Sequence, residues 1–145
     1  MKKTLGWLFI ALILGSCKGD DDRPLDDNNP NLTTPIVNIT LNLNLPQYNP
    51  LRFPGNSIVL NQQGIRGIIV YNVNNDLYTA FDLSDPNHFP NDCSRMTVEG
   101  IIATCTCDDD NSYDIVTGQH QSNENKYPMQ QYRTERVGDN ITVSN

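Results

Sequence analysis

Three cysteines in the C-terminal half of this 145-residue chain, Cys93 and the close pair Cys105-Thr106-Cys107, offer the widest chemistry in the sequence. A thiolate can ligate a metal, attack an electrophile or form a disulfide. The chain has two histidines, His88 and His120. Asp85, His88, Cys105 and Asp108 run in a D-x-x-H…C-x-x-D order, and such mixed nitrogen, sulfur and oxygen ligation suits zinc. The same residues stand beside Pro86 and Pro90, where aspartate and histidine also serve as turn formers with solvated side chains. The expectation is therefore no metal, with a single ion on those four residues as the alternative. Asp108-Asp109-Asp110-Asn111-Ser112 has the alternating oxygens that calcium favours, but no glycine at the bend and Gln119 at the twelfth position, so it reads as an acidic turn. Tyr71, Tyr78, Tyr113, Tyr127 and Tyr132 could form a sugar-binding stripe, although strand tyrosines are commonly half-buried with a wet hydroxyl. No serine-histidine-acid set, paired-carboxylate motif or phosphate loop is present, and the chain is not expected to be an enzyme.

The compartment in which those thiols work is written at the N-terminus. Lys2 and Lys3 precede an apolar run from Leu5 to Leu14, and Gly15-Ser16 supplies small residues before a cleavage point, so residues 1–16 read as an export signal. The run is too short for a permanent membrane span. Leu14-Gly15-Ser16-Cys17 resembles the lipobox of bacterial lipoproteins, which implies that Cys17 becomes an acylated N-terminus. Several acyl chains at about 0.8 kcal/mol per buried methylene give a stable anchor. Lys18-Gly19-Asp20-Asp21-Asp22 resembles the signal that sends Bacteroidetes lipoproteins to the outer face of the outer membrane, which implies display at the cell surface. In an exported chain a disulfide from Cys93 to one member of the Cys105/Cys107 pair is the default, and one thiol is left over.

Residues 1–16 hold two lysines and no acid, so the remainder has 8 basic and 17 acidic side chains and a formal charge of −9. Nucleic acid and anionic headgroups are not expected as partners on that balance. The partners expected are the membrane, through the lipid anchor, and a protein or ligand that the sequence does not identify. Residues 17–34 are rich in Asp, Asn and Pro and read as a disordered acidic tether behind the lipidated cysteine. Residues 35–145 remain for one domain.

The elements that must position the thiols are all strands. Val37, Ile39, Leu41, Leu43 and Leu45 alternate with polar residues, the period of a half-buried strand. Pro46, Pro50 and Pro54 break regular structure, Ser57 to Leu60 is a short strand, and Asn61 to Gly64 is a turn. Ile65 to Asn72 and Asp76 to Leu83 flank Val73-Asn74-Asn75 as a hairpin. After a loop from Ser84 to Cys93, Met96 to Thr104 reads as one strand and Ser112 to Val116 as another. Gln119 to Lys126, including His120, is a polar loop, and Gln131 to Val137 with Asn140 to Ser144 closes the chain as a hairpin. No stretch has the helical period. The pattern predicts an all-β antiparallel sandwich or partly open barrel.

The order Tyr78-Thr79-Ala80-Phe81-Asp82, the loop to Cys93, Cys105-Thr106-Cys107, Ser112-Tyr113-Asp114-Ile115, Thr117-Gly118, Pro128-Met129 and Tyr132 resembles a Rieske iron–sulfur domain over roughly half of the exported chain. The resemblance implies a Rieske-like all-β fold with two loops at one tip. A Rieske [2Fe–2S] cluster takes two cysteines and two histidines from a Cys-x-His and a Cys-x-x-His loop. Here Asp85 and Asn87 fall at the first pair of positions, and Cys105 and Asp108 at the second. Only Cys105 keeps its ligand; a one-residue shift would recruit His88. The resemblance thus implies a fold without its cluster, and as the alternative an electron-transfer protein with an iron–sulfur cluster or single metal on atypical ligands. It also implies a disulfide between the two loops, from Cys93 to Cys107, with Cys105 spare. The pairing of Cys93 with Cys105 competes.

Overall fold

The computed structural model describes residues 29–122 and 125–145. The export signal, Cys17 and Asp20 to Asp22 lie outside the described residues. Among the described residues nine strands follow in order: β1 (Asn38–Asn42), β2 (Ser57–Leu60), β3 (Ile68–Asn72), β4 (Tyr78–Asp82), β5 (Thr97–Glu99), β6 (Ile102–Thr104), β7 (Ser112–Asp114), β8 (Gln131–Val137) and β9 (Asn140–Ser144). They form a six-stranded sheet in the order β1-β9-β8-β4-β3-β2 and a three-stranded sheet β5-β6-β7. Every pairing is antiparallel, as the alternating sequence predicts.

The period-two pattern of the first strand ends at Leu43. Val37, Leu41 and Leu43 are buried, whereas Leu45 is exposed. They meet Leu60, Ile68, Val70, Tyr78, Ala80, Tyr132, Ile141 and Val143 in one cluster drawn from all six strands, so the large sheet curls around its own core. Each such aliphatic side chain removed from water contributes about 1.5–3 kcal/mol.

The β3–β4 hairpin is apolar on both faces because both faces are covered. Ile68, Val70, Tyr78 and Ala80 enter the first cluster, while Ile69 and Phe81 enter a second with Leu83, Met96, Ala103, Cys105, Tyr113, Ile115 and Met129. The small sheet packs on that second face. Its connection to β8 turns at Gly118, whose φ of +75° only glycine adopts freely. A Cβ there would also lie 2.5 Å from the Phe81 ring.

Two features depart from the sequence reading. Met96 to Thr104 is not one strand but the hairpin β5–β6, because Gly100 takes φ +61° and reverses the chain between Glu99 and Ile102. The proline-rich stretch is a 3-10 helix, Pro46–Arg52, rather than irregular chain. Pro46 and Pro50 have a φ that suits a short helix, and its Leu51 is buried. The Leu51 carbonyl accepts from Asn72 Nδ2 at 2.8 Å and Tyr78 OH at 3.1 Å, which ties the helix to the hairpin.

Asn29 and Asn31, in the segment assigned to the tether on composition, are hydrogen-bonded to the domain. Asn29 Nδ2 and Asn31 Nδ2 both donate to the Pro86 carbonyl, at 2.8 and 3.0 Å.

Candidate functional site

Two loops meet beside the small sheet. The first leaves β4 at Leu83 and runs to Met96; the second joins β6 to β7. Asp82, at the end of β4, sets the start of the first loop. Its buried carboxylate accepts from the Ile65 and Arg66 amides at 2.6 and 3.2 Å, the Ser84 amide at 2.8 Å and Tyr132 OH at 2.9 Å. Burial outweighs those donors and raises its pKa.

Asp85 follows with no solvent exposure. Its Oδ1 accepts from the Asn87 amide at 2.8 Å and Tyr113 OH at 2.7 Å, and its Oδ2 accepts from Asn111 Nδ2 at 2.9 Å. Burial by itself would raise its pKa, but these donors, with the Cys105 thiol, bring it below the usual carboxylate value. Tyr113 is pushed upward by burial and then by the hydrogen bond it donates to this carboxylate, with the like charges of Asp85 and Asp109 adding to the effect. Asn87 closes the other side of the loop: its Nδ2 donates to Tyr113 OH at 2.8 Å and to the Tyr127 carbonyl at 2.9 Å, and its Oδ1 accepts from the Tyr127 amide at 3.0 Å. Asp85 and Asn87 are therefore joints between chain segments.

The loops are also joined covalently. Cys93 is bonded to Cys107 across Cα atoms 5.0 Å apart, and Cys105 is the free thiol, so Cys93 does not pair with Cys105. Cys105 is 5% exposed. Burial, then the neighbouring Asp85 and Asp109, push its thiol up to about 12 against the pull of the Cys107 amide. Thr106 Oγ1 donates to the Cys93 carbonyl at 2.6 Å, a further tie between the loops.

His88 stands over the thiol. Its Nε2 lies 3.4 Å from Cys105 Sγ, 3.1 Å from Asp109 Oδ2 and 3.5 Å from Asp85 Oδ2. Its Nδ1 lies 3.1 Å from the Phe89 carbonyl, which can only accept.

Of the residues singled out in the sequence, Asp85, Asn87, His88 and Cys105 thus converge. Asp108 does not: it is exposed, and the neighbouring Asp109 supplies the carboxylate instead. The turn explains the exchange. Asp110 adopts φ +53° and the Asn111 amide donates to Asp109 Oδ1 at 3.2 Å, which turns the Asp109 side chain inward. His120 is not remote either. It packs edge-on against Tyr113 with ring centroids 5.1 Å apart, and its Nε2 lies 3.3 Å from Asn111 Oδ1. Asn111 and Tyr113, whose polar atoms organise the cluster, stand in the sequence as part of an acidic turn and as a strand tyrosine, with nothing that marks either as a partner of Asp85. The tyrosines do not form a stripe, since Tyr78, Tyr113 and Tyr132 are core residues.

The four positions aligned with cluster ligands therefore supply one sulfur, one amide and two carboxylates, and the Asp85 carboxylate is held by three protein donors, two on Oδ1 and one on Oδ2. The donor set does not fit a [2Fe–2S] cluster, whose irons take soft thiolates and imidazoles.

No protein-family model matches the chain, and no curated protein does. Among solved structures, the chain is similar to a complex of reduced oxygenase and oxidized ferredoxin in carbazole 1,9a-dioxygenase, with 17% identity over 75% of this chain and 92% of that one and a TM-score of 0.46. It is similar to the ferredoxin of carbazole 1,9a-dioxygenase from Nocardioides aromaticivorans, with 14% identity, coverage of 77% and 98%, and a TM-score of 0.45. A Sphingomonas yanoikuyae ferredoxin gives 18% identity, coverage of 64% and 88%, and a TM-score of 0.43.

Proposed function

We propose that this chain is a membrane-anchored envelope lipoprotein whose β domain is a Rieske-like scaffold without its cluster, serving as a non-enzymatic binding or structural module. The observation that carries the reading is how the two loops are held. Where a cluster would bridge them, buried Asp85 of the first loop takes hydrogen bonds from Asn111 and Tyr113, at and just beyond the end of the second. The Cys93–Cys107 disulfide adds a covalent link between the same loops. A buried carboxylate with three good donors is stable as it stands and costly to extract, since each orphaned donor would cost about 1–3 kcal/mol. The anchor rests on Leu14-Gly15-Ser16-Cys17, and exposure on the outer membrane's outer face on Lys18 to Asp22.

Anaerobic reconstitution with iron and sulfide tests the loss of the cluster. The exported chain is expected to stay folded and colourless, with no low-temperature paramagnetic signal after reduction. A Rieske spectrum with two irons per chain would sink the reading and restore the electron-transfer alternative.

A further inference from the structure

We infer that His88, Cys105, Asp109 and Asp85 form a binding site for a single divalent transition metal, best suited to zinc. The site shares Asp85 and Cys105 with the cluster positions, but Asn87 and Asp108 take no part and His88 and Asp109 enter. It does not rest on the module reading, because redox-inert zinc is compatible with that reading and its absence leaves it standing.

The ring of His88 supplies the nitrogen of the site. Nδ1 faces the Phe89 carbonyl at 3.1 Å and so carries a proton. Nε2 faces a thiol sulfur and two carboxylate oxygens. Carboxylates only accept, so that nitrogen holds either a proton or a metal ion in the proton's place. Among the described residues no lysine or arginine forms an ion pair with either carboxylate. An imidazole nitrogen, a sulfur and two anionic oxygens converging with no lysine or arginine beside them is the electrostatic outline of a metal site. An imidazole that ligates metal through one nitrogen characteristically donates its other N–H to a carbonyl, as here.

The spacing agrees. With zinc bonds of about 2.0–2.2 Å to nitrogen and oxygen and about 2.3 Å to sulfur, tetrahedral ligands lie about 3.3–3.5 Å apart for N···O and about 3.6 Å for N···S. From His88 Nε2 the separations are 3.1 and 3.5 Å to the oxygens and 3.4 Å to the sulfur.

The outer partners are in place as well. Asn111 Nδ2 donates to Asp85 Oδ2 at 2.9 Å and Asp109 Oδ2 at 3.1 Å, so one amide orients both carboxylates. Tyr113 OH and the Asn87 amide hold the other Asp85 oxygen. His88, Cys105, Asp109 and Cys107 offer ligand atoms within 4.8 Å of one another, but Cys107 Sγ is committed to the disulfide and offers no thiolate, and Asp85 Oδ2, 3.5 Å from His88 Nε2, takes its place. Asp85 and Cys105 form the buried floor, while His88 and Asp109 side chains are 24% and 28% exposed, which leaves a path for the ion from solvent. On binding, the Cys105 thiol gives its proton to solvent and its sulfur to the metal.

The exported chain, untagged and with its disulfide intact, is dialysed against Zn²⁺ and analysed for metal, and titrated with Co²⁺ while its near-ultraviolet absorption is followed. One ion per chain and a sulfur-to-cobalt charge-transfer band are expected. Cys105→Ser and His88→Gln should each weaken binding about 10–100-fold or more, and Asp108→Asn should leave it unchanged. Should Cys105→Ser fail to fold, Asp109→Asn, on a partly exposed side chain, is read instead and should weaken binding about 10-fold. No stoichiometric zinc, no cobalt–sulfur band, or equal loss in Asp108→Asn, which would point to the acidic turn, overturns the site.

Discussion

Asp82 accepts four hydrogen bonds in a setting with no solvent exposure, and an asparagine of the same shape has one acceptor oxygen and two donor hydrogens. Asp82→Asn therefore sets N–H against N–H at Ile65 or Arg66, and a loss of about 1–3 kcal/mol per unsatisfied donor is expected in urea unfolding. The pH dependence runs in a definite direction. Burial raises the folded-state pKa of Asp82 above its unfolded value of about 3.9, so the native state binds this proton more tightly. Its contribution to stability is fully present below the unfolded pKa and is lost as pH rises through the raised folded value. Unfolding free energy measured across that window should lose this descending component in Asp82→Asn. At the same scale, Gly64 is obligatory beside this carboxylate, because an added Cβ would collide with Asp82 Oδ2.

At the scale of elements, the two loops between β4 and β7 have no regular structure of their own at the site, and three ties replace it: the Asp85 hydrogen bonds, the Thr106 to Cys93 contact and the disulfide. Cys93 and Cys107 are 14 residues apart, so the bridge closes a loop worth about 3 kcal/mol in the chain-entropy model. The double variant Cys93→Ser/Cys107→Ser is expected to unfold at lower denaturant concentration by that amount. Because the six-stranded sheet has its own core, near-native far-ultraviolet dichroism should persist. A loss far below 1 kcal/mol would mean that the hydrogen bonds alone set the tip.

For the whole molecule, the proposed anchor and the tip are close in the chain. Eleven residues separate Cys17 from Asn29, and Asn29 is hydrogen-bonded to Pro86 of the first loop. On the proposal that Cys17 is acylated, twelve steps of at most about 3.6 Å each would hold Asn29 within about 43 Å of it. Cys17→Ala is expected to move the chain from the membrane fraction to the soluble one without changing its melting temperature, and retention in the membrane fraction would refute the lipid anchor. Much of the fold was legible locally. Strict alternation marks β1, Ser57 to Leu60 and the closing hairpin β8–β9 fall where the sequence places them, and the doubly apolar hairpin announces a central position, because side-chain period follows backbone geometry alone. Gly100 split a strand that its apolar neighbours Ile101 and Ile102 make look continuous, since a reversal by one positive φ leaves no mark on hydropathy. The sequence by itself determined the all-β antiparallel class and the loop positions, because these depend on residue type and order. Only the tertiary structure decided that Asp109 rather than Asp108 faces His88, that Asn111 and Tyr113 hold Asp85, and which thiol stays free. Those follow from directions of side chains across loops some 20 residues apart, which no local pattern encodes.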